Sequence, residues 1–118
     1  MLFRSLQVGT YGRVDGKPST AEELADARTQ AERAAIQLRR EGELAFYYHG
    51  QRLSVVTVGV FSERDLAQGP AGVENPALTA LRKRYPYNLV NGAGVRERSP
   101  GFGDLGLQPS GLVEIPER

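Results

Sequence analysis

The 118-residue sequence contains no cysteine and no tryptophan, and its only histidine is His49. The missing thiols exclude disulfides, thiolate metal sites and a cysteine nucleophile. A lone histidine beside Gly50 gives a metal no second imidazole, so His49 reads as a turn residue rather than a ligand. A serine triad would need the same histidine, and the G-x-S-x-G elbow is missing as well. Charge is balanced: 15 basic against 14 acidic side chains leave a net +1, which demands neither a nucleic acid nor an anionic membrane. No apolar run approaches the roughly 20 residues of a membrane-spanning helix. The start, MLFRSLQVGTYG, lacks a signal peptide's long apolar stretch and small-residue cleavage site. The expected location is the cytoplasm if this is the full natural chain, and the periplasm or cell envelope if it is an excised domain.

Hydrophobic residues make up 40% of the chain and charged ones 25%, enough for one domain, 1–118, with a core of moderate size. Residues 5–11, SLQVGTY, alternate as a first strand, and GRVDGKP at 12–18 is a turn-rich loop. A helix follows. Ser19 or Thr20 can cap it, with Glu22 or Glu23 completing a capping box. Its apolar stripe is Leu24, Ala27, Ala31, Ala34, Ala35 and Leu38, and Gly42 stops it. Residues 44–50 and 53–61 form a hairpin. Ser62 caps a possible helical turn, and Asn75 with Pro76 opens a second helix whose apolar side is Leu78, Leu81 and Tyr85. Residues 86–111 are rich in Gly and Pro and are expected to be a long flexible loop. The last strand is expected at LVEI, 112–115, with YNLVN, 87–91, as its rival. The order β-α-β-β-α-β implies an α+β, ferredoxin-like fold. Its four-stranded, mainly antiparallel sheet would carry two helices on one face.

The first and third strands share a short pattern. QVGTY at 7–11 and TVGVF at 57–61 each set Val-Gly before a β-branched residue and an aromatic. Strict alternation turns Leu6, Val8, Val56, Val58 and Val60 toward the helices. It turns Gln7, Gly9, Thr57 and Gly59 toward the open face, where bare backbone would let a flat ligand lie down. The competing reading is that each glycine permits a bulge. A bulge would also reverse parity beyond it, leaving the facing of Tyr11 and Phe61 open.

At LQVGTY, AAIQLRREG, AFYYHG and VVTVGVFSERD, in this order, the chain resembles the SPOR (sporulation-related repeat) domain, a bacterial peptidoglycan-binding module. The resemblance covers about residues 4–66. It implies a ferredoxin-like fold that binds glycan strands lacking stem peptides, through a sheet surface using a strand-one Gln and the Ser after its Gly. By position these are Gln7 and Thr10. Two positions depart from the family's pattern: Thr57 stands where Arg is often found, and Val60 where Pro follows the second Val-Gly.

Other constellations carry less. GFGDLG at 101–106 matches G-x-G-x-x-G, but RERSP before it and LQPSG after it supply neither the strand nor the helix start that a phosphate site needs. Arg82, Lys83 and Arg84 close a helix, where cations are favoured anyway. The carboxylate pairs Glu22 with Glu23 and Glu41 with Glu43 sit at exposed-looking positions, without the pocket that glycosidase chemistry requires. Phe46, Tyr47 and Tyr48 could stack RNA bases, but the RNP1 pattern is missing and the charge is near neutral. The expectation is therefore a non-catalytic module with no cofactor and no metal, and no membrane insertion by this segment. Its partner would be peptidoglycan glycan, held by Gln7, Thr10 and Thr57 over Gly9 and Gly59, with Tyr11 or Tyr47 offering an aromatic plane. The alternative is a protein-interaction or assembly module, with a sheet edge open to a homodimer.

Overall fold

Helix formation is best explained at α1 (Ala21–Arg40). The Thr20 hydroxyl accepts from the Glu23 backbone N–H, and the Glu23 carboxylate accepts from the Thr20 N–H, closing the capping box. At the other end Gly42 adopts φ +95°. The N–H of Gly42 donates to Arg39 O, and that of Glu43 to Leu38 O, a Schellman stop. Ala27, Ala31 and Ala35 are the buried stripe, and their small side chains let the helix lie close on the sheet.

The remaining elements of this computed structural model are β1 (Phe3–Gly12), β2 (Ala45–His49), β3 (Leu53–Ser62), α2 (Glu63–Leu66), α3 (Pro76–Arg84), β4 (Leu89–Val90), β5 (Arg96–Ser99), β6 (Gly103–Leu107) and β7 (Gly111–Glu114). The structure describes residues 3–67, 72–94, 96–99 and 103–115, with backbone alone for 96–99 and 103–107. The fold is α+β, a mixed sheet with three helices. Strands run β2-β3-β1-β4, and β7 also pairs with β1. Among the described strands, only β4 is parallel to its neighbour. The core joins Leu6, Val8, Val56 and Val58 of the sheet to Ala31 and Ala35 of α1 and Leu78 and Leu81 of α3.

Both rivals for the last strand find a place on β1. Leu112 of β7 pairs with Leu6, and Gly111 with Gln7; farther along, Leu89 of β4 pairs with Gly9 and Val90 with Thr10. The two pieces are also tied to each other: Asn88 N–H donates to Gln108 O, and Ser110 N–H to Pro86 O, each at 3.0 Å. Asn91, at φ 51°, ends β4. Its side-chain amide accepts from Gly12 N–H and donates to Gly12 O, standing in for a strand neighbour. Between β4 and β7, where a loop was expected, β5 and β6 form a two-stranded antiparallel ladder. Gly103 and Gly106 of the G-x-G-x-x-G string lie in β6, and Gly101 lies outside the described residues.

The facing expected for the two glycines needs correction, because the β1–β3 pairing slips twice. Arg4 pairs with Phe61 and Leu6 with Val58, so β3 carries one extra residue at Gly59–Val60. Gln7 pairs with Thr57 and Gly9 with Val56, so β1 carries one extra at Val8. Each bulge reverses the alternation. Gly59 has φ +74°, and a Cβ there would point at Leu81 Cδ1, 2.7 Å away, and Phe61 Cε2, 2.9 Å away. It therefore faces α3 rather than the open side. Gly9 likewise lies on the helix side, where an added Cβ would meet the Tyr11 ring edge at 3.3 Å and Val56 Cβ at 3.6 Å.

Gly59→Ser should cost about 2–4 kcal/mol, combining left-handed strain with overpacking. Gly9→Ala, in extended backbone, should cost no more than about 1 kcal/mol. Urea melts of the two variants compare them directly, and equal midpoints would contradict the bulge at Gly59.

Candidate functional site

The seven sequence-predicted residues divide between the two faces of the sheet. Gln7, Thr10 and Thr57 lie on the face away from α1 and α3. Gly9, Tyr11, Tyr47 and Gly59 lie on the helix side. Tyr47 pairs with the buried Val56, and the Arg39 guanidinium stands 6.0 Å from its ring centroid. Tyr11 packs against the core, and burial pushes its phenol above the ordinary value. Neither tyrosine can offer an aromatic plane to a ligand resting on Gln7. The aromatics that share the far face are Phe46 and Tyr48, which pair with Thr57 and Val55.

The far face is built around the bulge at Val8. In a regular strand, residues three apart point to opposite sides. Here the extra residue brings Thr10 round to the side of Gln7, and Gln7 Nε2 donates to Thr10 Oγ1 at 3.1 Å. Thr10 Oγ1 also accepts from Asn88 Nδ2 at 3.1 Å and donates to Asn88 Oδ1 at 3.3 Å. Asn88 Nδ2 continues to Gln108 Oε1 at 2.8 Å. The result is a row of three carboxamides and one hydroxyl crossing from β1 to the 86–88 and 108–110 segments. Gln7, Asn88 and Gln108, with Gly111, Leu112 and Val113, border a cavity of about 210 Å³ that no ionisable side chain lines. Thr57 stands beside Gln7 in register, but it is fully buried, and its hydroxyl has no hydrogen-bond partner among the described residues. It is out of reach of a ligand in this conformation.

Asn88 and Gln108 escaped the sequence reading because both fall in the stretch taken for a loop. Asn88 sits inside the rival strand segment YNLVN, and nothing local to that segment marks its amide as a buried anchor.

The opposite face holds an apolar groove of about 380 Å³ with Val8, Gly9 and Tyr11 on the strand side, Ala34 and Leu38 on α1, and Tyr85, Pro86, Tyr87 and Leu89 on the far wall. Elsewhere, His49 Nδ1 lies 2.7 Å from Ser54 Oγ, and its Nε2 lies 3.8 Å from Glu32 Oε1. The row resembles a triad in composition only, because Ser54 is 2% exposed and no acyl group could reach it. Of the carboxylates, Glu23 is held below its ordinary range chiefly by the Thr20 backbone N–H. Asp15 is held down chiefly by Arg13. A glycosidase acid needs the opposite shift. Among the described residues no group of three or more His, Asp or Glu side chains could hold a metal ion, and no helix is long and apolar enough to cross a membrane.

Comparison with protein-family models, with curated proteins and with solved structures finds no significant match to this chain.

Asn88→Ala removes a 6%-exposed amide and takes from Gln108 Oε1 the Nδ2 donor it has here. A loss of about 1–3 kcal/mol in urea unfolding is expected. A variant as stable as the parent would show that the amide row contributes nothing to the fold.

Proposed function

We propose that the chain is a non-catalytic binding module for the glycan strands of peptidoglycan in the bacterial cell envelope, with its site on the sheet face that carries Gln7 and Thr10. The observation that supports this is the uncharged amide row beside the 210 Å³ cavity. Sugar hydroxyl and acetamido groups donate and accept at once, and carboxamides answer them in kind. A surface of amides without a fixed charge suits the hydroxyl and acetamido groups of a sugar better than the several carboxylates and amines of a stem peptide. The resemblance at Gln7 and Thr10 points the same way, since both residues fall on this face. In this reading the frame is ferredoxin-like, with β1, α1, β2, β3, α3 and β7 as its βαββαβ core. β4 and the β5–β6 ladder are then additions before the last strand. Phe46 and Tyr48, rather than Tyr11 and Tyr47, supply the aromatic planes.

A second reading, a protein-interaction or assembly module, draws on one feature. β2 pairs with β3 alone among the described strands, so its other edge is open to strand addition or to a second copy.

Purified sacculi should co-sediment the chain, and more strongly after an amidase has stripped the stem peptides. Gln7→Ala should weaken sedimentation at a stability cost under about 1 kcal/mol. Raising salt from low to physiological strength should change binding little, because no ionisable side chain among the described residues lines the cavity beside the amide row. A folded chain that fails to sediment at either salt would favour the protein-interaction reading.

A further inference from the structure

The groove on the helix side of β1 is a candidate site of its own, independent of the reading above. Its volume of about 380 Å³ falls within the range of small-ligand sites, about 300–1,000 Å³. Tyr87 and Leu89 stand on its far wall, 42% and 39% exposed, large apolar side chains held out of the core. Beside a concave apolar surface, these two exposed side chains extend it into one contiguous apolar patch.

Gly9 explains why the groove is deep. It has no left-handed φ to require a glycine, so its bareness serves space rather than backbone freedom. A Cβ at this position would project toward the Tyr11 ring and the Leu89 carbonyl, 3.3 and 3.9 Å away. Without it the floor drops to the level of the backbone.

Polarity is confined to the rim. Among the described residues, Arg84 and Gln37 are the only lining groups that are charged or carry an amide side chain, and none of the lining residues is acidic. Arg84 holds Glu43 through one terminal nitrogen, at 3.1 Å. A guanidinium carries five N–H donors on three nitrogens, so this ion pair does not exhaust it, and its side chain is 54% exposed. Beside it the Tyr85 phenol is pushed above its ordinary value, by burial first and by Glu43 second.

We infer that this groove binds a small molecule with a compact apolar ring system and one anionic head group, of the class of aromatic carboxylates. The ring body lies over Gly9 between Leu38 and Leu89, replacing water on Tyr87 and Leu89. The head group meets the Arg84 guanidinium at the rim, with the Gln37 amide as a second donor through the N–H not directed at Glu41 Oε1, which its Nε2 reaches at 3.5 Å. Arg84 would then hold two carboxylates, those of Glu43 and the ligand, which a planar fork can do and a point charge does less well.

The test is a titration of the 15N-labelled full chain with 2-naphthoate and with its neutral isostere 2-naphthamide, followed by backbone amide shifts. Saturable shifts at Gly9, Leu38 and Leu89 are expected for both probes, with 2-naphthoate bound at least about fivefold more tightly. Gly9→Val should weaken both by about tenfold or more by filling the floor. Ala34→Leu, which fills the groove from α1, should do the same and stands in if Gly9→Val fails to fold. Arg84→Gln should erase the preference for 2-naphthoate and leave 2-naphthamide binding unchanged. Any of three results would overturn the inference: no saturable shift up to about 5 mM, no preference for the anion in the parent, or undiminished binding in a folded Ala34→Leu chain. Sacculus binding through the other face is read separately, so failure here leaves that reading standing.

Discussion

Both faces of the sheet depend on the pairing of β1 with β3, and on its slipping once in each strand. The extra residue at Gly59–Val60 lets Phe61 return to the helix side, where it is 5% exposed in the core. Without it, period-two alternation from Val58 would bury Val60 and turn Phe61 out. The bulge is paid for locally. Gly59 N–H donates to Leu44 O at 2.8 Å, and the Ser5 hydroxyl reaches Gly59 O at 2.6 Å and Val58 O at 3.0 Å. Ser5 is fully buried, and these two carbonyls are the reason a hydroxyl is tolerated there. The second slip, at Val8, does for the C-terminal half of β1 what the first does for β3. It sends Thr10 to one side and Gly9 with Tyr11 to the other.

The far face of the sheet is polar yet largely closed to solvent, which sets a condition on what it can do. Ser5, Thr10, Thr57 and Asn88 are all buried. Three of them are bonded, and the cost of burying their polar atoms is offset within the network. Thr57 is the exception, with its hydroxyl unpaired among the described residues. A fully bonded buried network is stiff. Gln7 and Gln108, only half-buried, are therefore held at fixed positions by partners beneath them, and an amide held in place loses less freedom on binding than a mobile one.

Much of the frame was legible because its signals are local. Thr20 with Glu23, Gly42 after the last turn, and Asn75 before Pro76 each mark a helix end by backbone chemistry that needs no tertiary context. The alanine stripe named the buried side of α1 for the same reason. The facing of the glycines was not legible, because alternation presumes an unbroken ladder. A bulge is settled by the partner strand: the extra residue at Val8 exists only relative to Thr57 and Val56. LVEI does supply the last strand, β7, beside β1, but setting YNLVN against it as an exclusive rival was wrong. It presumed that one strand fills one edge, whereas β1 is ten residues long and two short segments divide its edge. Asn88 was invisible because its anchoring partners, Thr10 and Gln108, are 78 and 20 residues away.

The same strand thus serves two chemistries within three residues. Gln7 bonds through its side chain to Thr10, on the amide face, while Gly9 opens the groove on the helix side. Neither contact set includes a residue of the other. What joins them is Val8, which is buried in the core, lines the groove and is itself the extra residue of the bulge. Its side chain is held by packing, and its backbone position decides that Thr10 faces Gln7. Changing the outward polar atoms should therefore leave the groove intact, and filling the groove should leave the amide row intact. A volume change at Val8 would disturb both, because a packed interior transmits a displacement to the bonded strand above it.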